Sequence, residues 1–179
     1  AFCTSFVLHR KKKFSELETI TAWFCRAEEY EIKEAFMIQD IFPHIYHNEY
    51  KPVAPDSHSI ILAYENGKCF FSREENSDTI TLPRFKELEG QLADLYENYI
   101  YLFSIDDDRF YLIPGLDTNL LPEYDFYEAR VLRYAHPQYL SFAVITGHQL
   151  YQWYKSRQYC GCCGHAMKHD TNERKMYCP

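Results

Sequence analysis

The residues best suited to chemistry lie in the last twenty positions of the 179-residue chain, which hold four of its seven cysteines. Cys160 and Cys163 form a Cys-x-x-Cys motif followed by Gly164, and Cys178 comes after a polar stretch. This spacing is typical of a zinc knuckle, because it lets two thiolates face one ion while the glycine relieves the tight turn. We therefore predict a structural Zn²⁺ site in a zinc ribbon, with Cys160, Cys163 and Cys178 as metal ligands.

Tetrahedral zinc takes four ligands, and the spacing supplies three. A closing cysteine in the form Cys-Pro-x-Cys would fall two positions after Pro179, so we expect the ribbon to be truncated in this sequence. The substitutes within the chain are Cys162, His165 and His169. Cys162 sits between two ligand positions, where the geometry usually turns the side chain away from the ion.

A redox role for the Cys-x-x-Cys motif is the competing interpretation. Redox motifs of this kind lie at a helix N-terminus in a thioredoxin-like βαβ unit, whereas the helix predicted here ends at the motif. A zinc ion held by four thiolates leaves no position for water or substrate. We therefore predict no catalytic residue at this site.

Two other groups of titratable residues are weaker candidates. His44, His47 and His58 lie in a proline-containing segment without a recognisable carboxylate partner, which favours a polar loop role over metal binding. The adjacent aspartates 106–108 lack the further ligands and the glycine of a calcium loop. We interpret them as a solvated hairpin tip.

The elements that position the cysteines are predicted to include aromatic-rich strands, since the chain has sixteen Tyr and thirteen Phe but only six Gly. Two β-rich runs flank the turn signal Asn66-Gly67, and two more flank residues 106–109. Each arrangement predicts a β-hairpin.

Helices are predicted in three places. Ser15 and Glu18 have capping-box spacing at the start of a helix over residues 14–36. The spacing of leucines predicts a short helix over residues 83–98, and a longer helix follows Pro137 and leads to the cysteines.

Together these patterns predict an α+β fold, with an antiparallel, hairpin-rich domain and flanking helices followed by the truncated zinc ribbon. The predicted parts are a helical N-terminal extension (1–36), a β-rich domain (37–135), a linking helix (136–158) and the incomplete ribbon (159–179).

The charge and composition of the chain limit which partners and which cellular compartment it can have. The formal net charge of −7 and the pI near 5.6 argue against a surface devoted to nucleic-acid phosphates. No stretch approaches the roughly 20 apolar residues that a membrane span requires. An odd number of cysteines, clustered near one end, suits metal-bound thiolates in a reducing compartment better than disulfides. We expect a cytoplasmic protein without membrane contact.

The junction between the last helix and the cysteines resembles a known family. The residues Gln149-Leu150-Tyr151-Gln152-Trp153, then Gln158-Tyr159-Cys160-Gly161-Cys162-Cys163-Gly164, then Cys178-Pro179 are similar to the helix-to-ribbon junction of the NADH pyrophosphatases, a branch of the Nudix hydrolases. Members of that family place a β-rich domain first, a four-cysteine zinc ribbon second and a catalytic Nudix domain third. The resemblance implies that this chain covers the first two.

The resemblance also implies an activity for the intact parent, which would hydrolyse NAD(H) to nicotinamide mononucleotide and AMP with Mg²⁺ or Mn²⁺. The family's catalytic box, a Gly and a Glu before Arg-Glu-x-x-Glu-Glu, is missing, and Arg73-Glu74-Glu75 lacks the rest of it. This chain is therefore expected to be inactive alone. A homodimer and binding of NAD-capped RNA are further implications. The alternative hypothesis is a self-contained zinc-ribbon module that binds protein or nucleic acid.

Overall fold

The computed structural model describes residues 37–74 and 77–179. The predicted N-terminal extension, including the helix over 14–36 and its Ser15 cap, lies outside the described residues. Residues Met37–Pro179 form one compact unit.

The described residues combine short strands with one long helix, which confirms the predicted α+β fold class. The strands are β1 (Tyr46–His47), β2 (Ile60–Leu62), β3 (Tyr64–Glu65), β4 (Lys68–Arg73), β5 (Ile80–Thr81), β6 (Ile100–Ile105), β7 (Asp108–Leu112), β8 (Asp125–Glu128), β9 (Lys168–His169) and β10 (Met176–Tyr177). The α-helix α1 spans Gln138–Ser156, and short 3₁₀ helices span Phe85–Glu87, Thr118–Leu120 and Ala129–Arg133.

The strands form three sheets. The first has the order β1-β6-β7-β2, in which β2 runs parallel to β7 and the other pairs are antiparallel. In the second, β4 pairs with β3, β5 and β8, all antiparallel. The third is the hairpin β9–β10. Ala63 separates β2 from β3, so the chain passes there from the first sheet to the second.

The predicted hairpin at Asn66-Gly67 is confirmed. Both residues have left-handed backbone conformations, with φ of 49° and 79°, as the tight hairpin turn requires. Tyr64 pairs with Cys69 across the hairpin. The run before Tyr64 departs from the simple hairpin, because Ile60–Leu62 pairs with β7 instead of continuing along β4.

The second predicted hairpin, β6–β7, is also confirmed, although its turn is shorter than expected. Ile105 pairs directly with Asp108, so only Asp106 and Asp107 form the turn, and Asp106 has a φ of 50°. Arg109 belongs to the strand because it pairs with Ser104.

The predicted helix over residues 83–98 is wrong. This segment forms the 3₁₀ helix Phe85–Glu87 and then a series of turns. Gly90 has a φ of 80°, which interrupts helical geometry. The leucine spacing does identify the inward side, since Leu88 and Leu95 are buried, but successive turns achieve that burial without a helix.

The predicted helix after Pro137 is confirmed as α1, and it covers one face of the first sheet. Ala143, Val144 and Gly147 lie on its buried side. Gly147 allows a close approach, because a Cβ there would lie 2.4 Å from Tyr64 Oη and 2.5 Å from Leu62 Cδ1. Tyr64 Oη donates a hydrogen bond of 2.7 Å to the Val144 carbonyl, which fixes this contact.

Two apolar clusters lie on the two sides of the first sheet, as the alternation of β2 illustrates. Ile60 and Leu62 point into the cluster under α1, whereas Ile61 points into the cluster that holds Phe85 and Tyr111. Within residues 37–74 and 77–179, no helix is both long enough and apolar enough to span a membrane.

Candidate metal centre

The structure brings the three predicted metal ligands together. The Sγ atoms of Cys160, Cys163 and Cys178 all lie within 4.8 Å of one another, and those of Cys163 and Cys178 are 3.3 Å apart. Tetrahedral zinc with Zn–S bonds of roughly 2.3 Å places its sulfur atoms about 3.8 Å apart. The three thiols are therefore close enough to hold one metal ion.

The Cys-x-x-Cys turn brings its two thiols to the same side through backbone hydrogen bonds. The Cys160 amide donates a hydrogen bond to the His165 carbonyl, and the Gly164 amide donates one to the Cys160 carbonyl. Each N···O distance is 2.8 Å. Gly164 has a φ of 72°, a conformation that glycine adopts without strain. Tyr159 and Ala166 close the base of the turn as an isolated antiparallel bridge.

The hairpin β9–β10 delivers the third thiol. His169 pairs with Met176, and Lys168 pairs with Tyr177, so the chain returns antiparallel toward the turn. Cys178 follows β10 directly and reaches the other two sulfur atoms. A cysteine fifteen positions after Cys163 thus becomes its neighbour through one short hairpin.

The thiols of Cys160 and Cys178 differ in proton affinity. Backbone hydrogen bonds from Cys163 and then Cys162 stabilise the Cys160 thiolate and lower its pKa to about 7. Hydrogen bonds with the Cys163 and Cys160 side chains raise the pKa of Cys178 to about 11. Cys160 therefore ionises before Cys178, and a bound cation would displace the remaining protons.

The residues considered as substitute ligands do not join the three sulfur atoms. His169 Nε2 lies 2.9 Å from Tyr154 Oη, and its ring is 5.6 Å from that of Tyr50. Burial also lowers the pKa of His169, so the imidazole is neutral at pH 7 and acts within the fold. Cys162 and His165 are exposed and lie outside the cluster.

The surroundings of the motif differ from those of a redox Cys-x-x-Cys. Helix α1 ends at Ser156, before Cys160, so no helix begins at the motif. A thiol-rich donor set suits soft or borderline ions such as zinc.

Sequence reasoning missed Arg174, which joins the β9–β10 hairpin to the first sheet. Its Nη1 atom donates a hydrogen bond of 2.9 Å to Asn48 Oδ1, and its Nη2 atom donates one of 3.2 Å to the Asn48 carbonyl. The Nη2 atom also donates a hydrogen bond to the Leu102 carbonyl. The guanidinium lies 5.7 Å from the centre of the Tyr50 ring. An arginine in a polar stretch carries no sequence signal of these distant partners.

The three histidines of the proline-containing segment do not converge on a site in the described part of the chain. His44 Nδ1 lies 2.7 Å from Asp106 Oδ2, and the Ile45 amide donates 2.8 Å to the other oxygen of that carboxylate. The Ile45 amide, and then His44, lower the pKa of Asp106. The hairpin tip thus provides a carboxylate partner that the sequence did not indicate, and the contact ties a loop to the turn.

No protein-family model matches the chain, and no curated protein matches its sequence.

Proposed function

We propose that the chain is the non-catalytic N-terminal and zinc-ribbon portion of an NADH pyrophosphatase of the Nudix group. In this proposal Cys160, Cys163 and Cys178 hold a structural Zn²⁺. The observation that supports it best is the convergence of three thiols in a knuckle directly after α1, at the junction where the sequence resembles that family.

The role proposed for the metal is to fix the β9–β10 hairpin against the β-rich body. The ion neutralises the thiolates and replaces the buried core that so small a segment lacks. Arg174 then holds the hairpin to Asn48 and Leu102, while Met176 packs against the cluster under α1. The metal-held hairpin would therefore cover one side of the body.

The catalytic part of the proposal concerns the intact parent. That protein would hydrolyse NAD(H) with Mg²⁺ or Mn²⁺ bound by carboxylates of a further domain, and it would act as a cytoplasmic homodimer that also accepts NAD-capped RNA. None of those carboxylates is assigned to this chain, which we expect to be inactive toward NADH.

The proposed metal site is tested by measuring the zinc content of the purified chain and of single Cys→Ser variants. We expect the wild type and Cys162→Ser to hold equal amounts of zinc, because Cys162 lies outside the cluster. We expect strong loss of zinc in Cys160→Ser, Cys163→Ser and Cys178→Ser. Equal zinc contents in all four variants would contradict the ligand assignment.

The family assignment is tested separately by reading the native coding sequence past Pro179. It predicts a cysteine two positions later and then the Gly, Glu and Arg-Glu-x-x-Glu-Glu box. A coding sequence without that box would contradict the pyrophosphatase assignment, but it would not affect the proposed zinc site.

A self-contained binding module is the second candidate, and the exposed aromatic residues of the ribbon favour it. Tyr159 is 67% exposed and Tyr177 is 43% exposed, and Lys168 is the cross-strand partner of Tyr177. Exposed aromatic and basic side chains together can bind protein or single-stranded nucleic acid. Binding of single-stranded RNA that is lost in Tyr159→Ala would favour this candidate.

A further inference from the structure

A large cavity lies where α1, β3, the segment after β7 and the β9–β10 hairpin meet. Its volume is about 620 Å³. This volume falls in the range of pockets that enclose small organic molecules. Its apolar lining includes Tyr64, Leu112, Phe126, Tyr151, Tyr154 and Met176.

The aromatic side chains give the cavity a recognisable chemistry. The ring centres of Tyr64 and Tyr151 are 5.3 Å apart, with 31° between the ring planes. Rings of this kind bind flat apolar groups, and their faces also attract cations. The cavity therefore suits a ligand with an aromatic or similarly flat body.

The charged residues of the lining give the cavity an excess of negative charge. They are Glu65, Asp117 and Lys155. His169 also lines the cavity, and burial lowers its pKa, so the imidazole is neutral at pH 7 and adds no positive charge. Two carboxylates therefore face one ammonium group.

These charges are not satisfied by ion pairs within residues 37–74 and 77–179. Asp117 Oδ1 accepts hydrogen bonds of 3.1 Å from the Asn119 amide and 2.8 Å from its Nδ2 atom, which leaves Oδ2 available. Lys155 Nζ lies 5.7 Å from the centre of the Tyr151 ring, so its charge already has an aromatic partner.

We propose that this cavity binds a small organic cation, with its flat apolar body against the tyrosines and its ammonium group near Glu65 and Asp117. This site goes beyond the proposed function and does not depend on it. The metal ligands contribute nothing to the cavity lining, although His169 and Met176 of the neighbouring hairpin do.

Three probes of matched size test the proposal: tryptamine as the cation, tryptophol as the neutral analogue and indole-3-propionate as the anion. Each is titrated into the zinc-loaded chain at pH 7, and binding is followed by amide chemical shifts. We expect tryptamine to bind about tenfold more tightly than indole-3-propionate, because two partly solvated carboxylates each contribute a modest attraction. The shifted amides should be those that line the cavity.

The double variant Glu65→Gln/Asp117→Asn removes both charges with little change in shape. We expect it to lose the preference for tryptamine while it keeps its binding of tryptophol. Glu97→Gln is the matched control, because Glu97 is exposed and lies outside the cavity. Tighter binding of the anion, equal binding of all probes, or no binding at the cavity amides would overturn the proposal. Unchanged zinc content in these variants keeps this test separate from that of the metal site.

Discussion

The β-rich body and the C-terminal ribbon, residues 159–179, are held together by different forces. In the body, Phe71, Phe103 and Tyr111 are fully buried in two apolar clusters. In the ribbon, every residue is at least partly exposed. A segment that buries so little apolar surface cannot offset the entropy of ordering its chain, so it depends on cross-links such as metal ligands. The two regions should therefore respond to different perturbations.

Removal of the proposed zinc is expected to have the largest effect, and it should act on the ribbon. Structural zinc contributes on the order of 10 kcal/mol to small zinc-bound peptides. We expect Cys163→Ser to abolish hydrogen-exchange protection in residues 159–179 and to leave the melting temperature of the body nearly unchanged. Cys162→Ser is the control and should retain protection. Joint melting of both regions after metal loss would contradict the view that different forces stabilise them.

Truncation of a core aromatic residue should produce the opposite pattern. Phe71 is fully buried and stacks on Tyr127 with ring centres 4.7 Å apart. We expect Phe71→Ala to lower the free energy of unfolding by about 3–5 kcal/mol, because it leaves a cavity in the core. Chemical denaturation measures this loss. A destabilisation smaller than that of the exposed control Tyr134→Ala would contradict the burial argument.

An added methyl group at Gly147 tests the close approach of α1 to the body. Its Cβ would lie 2.4 Å from Tyr64 Oη, so the tyrosine and its hydrogen bond to Val144 must shift. We expect Gly147→Ala to destabilise the body by about 1–3 kcal/mol through overpacking, although alanine favours helices. An alanine at an exposed position of the same helix, Gln152→Ala, should cost far less because it meets no packed neighbour. Thermal unfolding of the two variants decides between packing and helix propensity.

Loss of Arg174 should separate the two regions without unfolding either. Arg174→Met leaves the Asn48 and Leu102 carbonyls without their donor, at a cost of about 1–2 kcal/mol. We expect weaker zinc binding and faster hydrogen exchange in the ribbon, with little change in the cluster that holds Phe85 and Tyr111. Lys175→Met is the control, because the ion pairs that Lys175 forms within the described part of the chain are with Asp170 and Glu173 of its own hairpin. Equal effects of both variants would contradict a specific role for Arg174.

The smallest expected effect is a pH dependence that differs between the regions. Burial lowers the pKa values of His148 in α1 and His169 in β9 below 6.5. Each unfolded histidine then binds more protons than the folded one, so stability is complete above pH 6.5 and falls as the pH drops below it. We expect His148→Gln to flatten this dependence in the body and His169→Gln to flatten it in the ribbon. Hydrogen exchange measured separately for each region between pH 5 and 7 checks this. A flatter pH dependence of the ribbon in His148→Gln, or of the body in His169→Gln, would contradict it.

The features that the sequence predicts well are those whose signals are local. The turn at Asn66-Gly67 requires left-handed backbone that these two residues supply, and the Cys160–Cys163 spacing closes a tight turn by itself. The failure at residues 83–98 has a physical cause, since leucines three or four positions apart serve consecutive turns as well as a helix. Gly90 is the residue in this segment whose type argues against a continuous helix.

Other features depend on partners that are distant in sequence. Arg174 contacts Asn48, and His44 contacts Asp106, and neither pairing follows from local spacing. The cavity is similar, because its walls come from four separate elements. Only the assembled fold brings such groups together, so sequence patterns predicted the three clustered cysteines but not the residues that anchor the ribbon.

The parallel pairing of β2 with β7 has a consequence for the order of folding. The β6–β7 hairpin needs only a two-residue turn, whereas pairing of Ile60 with Phe110 requires closure of the long intervening loop. Contacts between residues distant in sequence form slowly, because the loop entropy is lost before the contact stabilises the chain. We therefore expect the β6–β7 hairpin to form before β2 docks on it.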